Sequence, residues 1–150
     1  MLNLPCRYHA QKKSWMDSDL FEEWLREQDQ KFESEGRKIT LIIDNCPAHP
    51  QIDNLKAINL VFLPPNTTSK IQPMDQGVVR STKAHYRSGC VHKFIEAIDQ
   101  NKPMPTITVL NAMVLLTQAW STVSKETVRN CFRKGGIGCK EQQRMTLLRS

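Results

Sequence analysis

The run Ile39-Thr40-Leu41-Ile42-Ile43 is short, almost wholly apolar and rich in β-branched residues, and it lacks the alternation of a half-exposed strand. Such a run predicts a strand buried on both faces, as in a parallel sheet. Asp44 closes it. The next residues, Asn45-Cys46-Pro47-Ala48-His49-Pro50, stop further extension, because prolines remove donors and the remainder favour a turn. A carboxylate at that strand end lies where open α/β sheets place their ligands, although an Asp there also serves as a plain turn residue.

Asn59-Leu60-Val61-Phe62-Leu63 predicts a second strand, stopped by Pro64-Pro65. About fifteen residues separate it from Asp44, room for a right-handed helical crossover, so the two strands are expected to be parallel neighbours. Asn66-Thr67-Thr68-Ser69 predicts a polar loop, leading past Pro73 to Asp75 in the first turn of a helix that starts near Met74 or Gln76. A carboxylate there suits the positive end of the helix, which is one reading of Asp75. The other is that strand end and helix start converge. Two carboxylates would then share a patch, repelling each other unless a proton or cation intervenes, and oxygen ligands beside a phosphate suit Mg²⁺.

The strings LIIDNCPAH (Leu41 to His49), VFLPPNTTSKIQPMDQG (Val61 to Gly77) and WSTVSKETVRNCFRKGGI (Trp120 to Ile137) resemble the DDE endonuclease domain of the pogo/Tigger group of mariner-type transposases. Centromere protein B and the jerky proteins are similar host-domesticated relatives. The resemblance runs from about Leu4 to Ile137 and implies an α/β, RNase H-like fold. It matches Asp44 to the family's second catalytic Asp and Asp75 to its third, with 30 residues between them. The family's first Asp lies on an opening block of antiparallel strands, and this chain starts after that block. Asp17, Asp19 and Asp29 fall in or beside a predicted helix, so none matches the missing position. The implied domain is a partial one over residues 1–137, with two short parallel strands and four to five helices. The implied chemistry is Mg²⁺- or Mn²⁺-dependent attack at phosphorus, with Asp44 and Asp75 as two of three ligands.

Elsewhere the helical pattern is clear. Asp17 or Ser18 caps a helix through about Glu35, with Leu20, Phe21, Trp24, Leu25 and Phe32 expected inside and Glu22 paired with Arg26 outside. Gly36 ends it. A helix from about Gln76 to Asp99 is expected to bury Val79, Tyr86, Phe94 and Ile98, with an irregularity at Ser88-Gly89. At about 100° per residue, Arg80, Lys83 and Arg87 form a basic stripe beside the bearing of Asp75. It is either an ordinary solvated face or a row of phosphate contacts. Lys70 and His49 are further nucleic-acid candidates, His49 also as a residue that orients the site. Thr106 or Thr108 opens a helix to about Ser121, whose apolar face carries Val109, Leu110, Met113, Val114, Leu116 and Trp120. Ser124 caps a last helix, Lys125 to Lys134, ended by Gly135-Gly136, which is expected to pack on the sheet or a neighbouring helix. Residues 138–150 form a basic tail, a candidate for disorder.

Charge is uneven. Residues 1–75 carry 9 basic and 11 acidic side chains, residues 76–150 carry 12 and 4, so the second half favours a polyanionic partner. Five cysteines without a CxxC pair suggest neither a disulfide framework nor a zinc site, but free and mostly buried thiols in a reducing compartment. No apolar run approaches the roughly 20 residues that span a bilayer, so no membrane partner is expected. Three functions remain in play. The first is a catalytically incomplete domain that binds DNA in the nucleus. The second is an Mg²⁺-dependent endonuclease or strand transferase completed by a further segment. The third is a protein-interaction module, self-associating at a bare sheet edge, or a relic.

Overall fold

The computed structural model describes residues 4–12 and 15–138. Cys139 and all of the expected basic tail except Gly138 lie outside them. The described residues form two compact units, residues 9–72 and residues 73–138 together with 4–8. As expected, the class is mixed α/β, with five α-helices and one two-stranded parallel sheet among the described residues.

In the first unit, helix α1 (Ser18–Ser34) starts where the Asp17 carboxylate accepts the Leu20 N–H at 3.0 Å, satisfying one of the orphan amides of a first turn. It ends before Gly36, whose φ of 64° is a left-handed conformation that glycine adopts without a Cβ penalty. Phe21, Leu25 and Asp29, four residues apart, form its buried line. Trp24 falls off that line. It is 37% exposed and tilted against Phe21 at 6.1 Å, which corrects its assignment to the core.

Strands β1 (Ile39–Ile43) and β2 (Ile58–Phe62) pair in parallel, Ile39 opposite Ile58 through Ile43 opposite Phe62. The pairing extends one residue further, where Leu63 N–H donates to Ile43 O at 2.8 Å. Phe21, Leu25, Ile43, Ile52 and Ile58 make the core, flanked by Phe32, Leu41, Leu55, Leu60 and Phe62. Burial on both faces is not what the strands show. Thr40, Asn59 and Val61 are exposed, and β2 alternates as a strand with one face covered does. The crossover also differs from expectation. The 14 residues between Ile43 and Ile58 contain no helix, because Pro47, Pro50 and a left-handed Asn54 (φ 64°) interrupt it. It serves the core instead by burying Ile52 and Ala57. After β2, part of the expected polar loop winds into the short helix α2 (Thr68–Ile71).

In the second unit, Pro73 leads into a π-type turn, Met74–Val78, with non-helical backbone at Gly77, before helix α3 (Val79–Asp99). The irregularity therefore lies at Gly77. Ser88 and Gly89 are helical, and Gly89 serves packing, since a Cβ there would sit 2.9 Å from Leu115 Cδ2. The buried residues of α3 are Thr82 and Ala97, whereas Ile98, expected inward, is 60% exposed. Helix α4 (Val109–Thr122) starts with a capping box in which Thr108 and Asn111 satisfy each other's backbone amides. It buries Met113, Leu115 and Ala119 and leaves Val109, Leu110, Leu116 and Trp120 exposed. Helix α5 (Lys125–Lys134), capped by Ser124 as expected, packs on the Met74–Val78 turn.

Candidate functional site

Asp44 leaves β1 directly into the turn that carries Cys46 and His49. The turn is closed by His49 N–H donating to Cys46 O at 2.9 Å, and the His49 ring packs on Phe21 with centroids 4.5 Å apart. The three side chains are half-buried, and a carboxylate oxygen, a sulfur and a ring nitrogen lie within 4.8 Å of one another. His49 Nδ1 meets Cys46 Sγ and the Asp44 backbone O at 3.3 Å each in hydrogen-bonding geometry. It lies closer still, 2.7 Å, to Asp44 Oδ1. That contact is an ion pair by distance but not a directed hydrogen bond, so the buried Oδ1 is left without a donor. A carboxylate oxygen in that position is costly unless a proton or a cation faces it.

Mg²⁺ does not fit this donor set. It demands near-octahedral oxygen ligation at roughly 2.0–2.1 Å, and the cluster supplies one carboxylate beside a sulfur and an imidazole. Asp75, the other expected ligand, is exposed in the first turn after Pro73 and belongs to the second unit. The 100° rule that placed it beside Arg80 does not apply, because Gly77 breaks the helix between them.

Arg80, Lys83 and Arg87 are all exposed on α3, at the three-, four- and seven-residue spacings that share one helix face. None of the three has a carboxylate partner among the described residues. Lys70 is exposed in the last turn of α2, in the other unit.

Two residues escaped the sequence reading. Cys46 was visible as D-x-C-x-x-H within one proline-bounded turn, a spacing outside the usual CxxC patterns. Among the described cysteines only Cys131 is buried, with Cys46 and Cys90 half-buried and Cys6 exposed, which corrects the expectation of mostly buried thiols. The other residue is Asp29. Its Oδ1 accepts the Ala57 and Ile58 N–H groups at 2.8 Å each, and the two oxygens together accept the Lys56 N–H at 3.1 and 2.9 Å. Burial acts to raise its pKa, but these backbone donors and the Lys56 charge outweigh it and hold the carboxyl below the ordinary value. Asp29 is thus a fastener for the start of β2, and a carboxylate on the apolar line of α1 was its signal.

Comparison with known proteins is consistent across the chain. A family model described as DDE superfamily endonuclease matches residues 1–132. The chain is 35% identical over 135 residues to Tigger transposable element-derived protein 4 of Mus musculus, covering 90% of this chain and 26% of the relative. It is 28% identical over 137 residues to major centromere autoantigen B of the same species, covering 90% and 22%. With ARS-binding protein 1 of Schizosaccharomyces pombe it shares 31% identity over 141 residues, covering 87% and 27%. The resemblance to the pogo/Tigger group is borne out by these matches, and the chain spans about a quarter of the relatives' length. No solved structure matches the chain.

Proposed function

The chain belongs to the DDE superfamily endonuclease family, and on that footing we propose that this transposase-derived domain binds DNA in the nucleus without cutting it. The observation that carries the binding is the exposed ladder Arg80, Lys83 and Arg87 on α3, free of carboxylate partners among the described residues. Cations in such a row neutralise successive phosphates, and each releases bound counterions. Lys70 and His49 are candidates for added contacts. The names of two relatives, a centromere autoantigen and an ARS-binding protein, accord with a chromosomal setting. No described helix is long and apolar enough to cross a membrane.

Catalytic silence has separate support. Asp44 faces nitrogen and sulfur donors rather than a cluster of oxygens. Of the upstream aspartates, Asp17 caps α1 and Asp29 commits both oxygens to backbone amides, while Asp19 lies exposed in the first turn of α1. None stands on a strand. Self-association is a second reading, favoured by the two-stranded sheet, in which each strand is paired on one side only among the described residues. Sedimentation velocity over a concentration series tests it.

The deciding experiment measures DNA affinity across salt and, in the same samples, nicking of supercoiled DNA with Mg²⁺ or Mn²⁺. Removal of Arg80, Lys83 and Arg87 together should lower the slope of log affinity against log salt by roughly 2.7 if each neutralises one phosphate of a duplex. An unchanged slope sinks the ladder. Metal-dependent nicking that disappears in both Asp44→Ala and Asp75→Ala would instead sink the silent reading and mean that a third ligand joins these two carboxylates.

A further inference from the structure

We propose that Asp44, Cys46 and His49 form a site for a zinc-type ion, a divalent transition metal held by one oxygen, one sulfur and one nitrogen. Three observations carry it. The ligand atoms lie within 4.8 Å of one another before any ion arrives. They come from one short turn whose shape is fixed by Pro47, Pro50 and the His49-to-Cys46 backbone hydrogen bond, and the imidazole is held against Phe21, which is 3% exposed. Ordering costs on binding are therefore small. Finally, the buried Asp44 Oδ1 has no directed donor, and a cation would satisfy it.

The chemistry selects the class of ion. Thiolate and imidazole favour borderline and soft metals, whereas Mg²⁺ keeps to oxygen and water. Around Zn²⁺, with bonds of roughly 2.0–2.3 Å, tetrahedral neighbours stand about 3.3–3.6 Å apart. Nδ1 and Sγ already meet that spacing at 3.3 Å. Nδ1 and Oδ1, now 2.7 Å apart, must open by roughly half an ångström, a side-chain adjustment. On binding, the Cys46 thiol releases its proton to solvent, and the ring proton of His49 resides on Nε2, leaving Nδ1 to coordinate. The fourth position falls to water. The site requires neither DNA binding nor cleavage, and shares with those activities only Asp44 and His49.

The test uses the full chain and Co²⁺ as a spectroscopic stand-in for Zn²⁺. A saturable near-ultraviolet thiolate-to-cobalt charge-transfer band is expected, with visible bands of tetrahedral intensity. Zn²⁺ at stoichiometric amounts should abolish them, and a large excess of Mg²⁺ should not. Cys46→Ser should remove the charge-transfer band while its circular dichroism and thermal unfolding stay those of the parent. Cys6→Ser, which changes the exposed thiol, should leave the band intact. Asp44→Asn and His49→Ala should each weaken Co²⁺ binding, measured by chelator competition, by no less than the roughly 10–100-fold that loss of a mere supporting group costs. A band that survives in Cys46→Ser, the absence of a saturable band, or displacement of Co²⁺ by Mg²⁺ at comparable concentration overturns the site.

Discussion

Replacing Asp29 should cost more than any surface carboxylate of this chain. In Asp29→Ala, the N–H groups of Ala57 and Ile58, both buried residues, lose their acceptor together with that of Lys56. A buried unsatisfied donor costs about 1–3 kcal/mol. Two such donors, less the desolvation recovered by deleting the carboxylate, give a loss of about 3–4 kcal/mol. Against a total stability of about 5–15 kcal/mol for a domain, that loss is large. Asp29→Asn should lose about half as much, because it keeps one acceptor oxygen but gives up the charge and turns an N–H group toward that of Lys56. The pH dependence has a definite sign. The folded pKa of Asp29 lies below its ordinary value of 3.8, so its stabilisation is present in full above that value and is lost as the pH falls toward the folded one. Urea unfolding from pH 7 to pH 3 should therefore show the gap between parent and Asp29→Asn narrowing only below about pH 4. Amide exchange at Ala57 and Ile58 should accelerate in both variants. A loss under 1 kcal/mol for Asp29→Ala, or a gap that does not change with acid, would refute the fastener.

Other parts of the fold give smaller tests. Gly89→Ala should destabilise by about 1 kcal/mol, because overpacking at about 1–3 kcal/mol exceeds the gain of about 1 kcal/mol in helix propensity; the new Cβ meets Leu115, which is 5% exposed. Adding Leu115→Ala should erase the penalty attributable to Gly89, as read by a double-mutant cycle in thermal unfolding. Leu25→Ala, at a site 0% exposed, should cost about 2–5 kcal/mol in urea unfolding. Thr108→Ala removes one half of a capping box and should cost about 1 kcal/mol, with faster amide exchange at Asn111.

What could be read in advance was what local chemistry dictates. The run Ile39 to Ile43 became β1 residue for residue, because no other element suits five largely apolar and β-branched residues before a proline turn. The parallel partner followed from the length of chain available for a crossover. Helix α5 was legible from its cap at Ser124 and its stop at Gly135. The misses depended on what each residue meets in three dimensions. Periodicity put Trp24 and Ile98 on apolar faces, but nothing along the chain says which part of a wide apolar face finds a partner. The crossover carried enough residues for a helix, and its prolines decided otherwise. Within the candidate site, Asp44 could be placed at a strand end from sequence, whereas the approach of Cys46 and His49 to it depends on the turn's path and on Phe21, 23 residues upstream of Asp44.

The turn bearing Asp75 has almost no slack. Pro73 restricts its entry, and a Cβ on Gly77 would stand only 3.1 Å from the sulfur of buried Cys131 on α5. The backbone that carries Asp75 is thus braced by a helix some fifty residues further along the chain. A version of this protein shortened ahead of Lys125 would retain Asp75 and lose that brace, so loss of the last helix would free the turn while leaving the codon of Asp75 untouched.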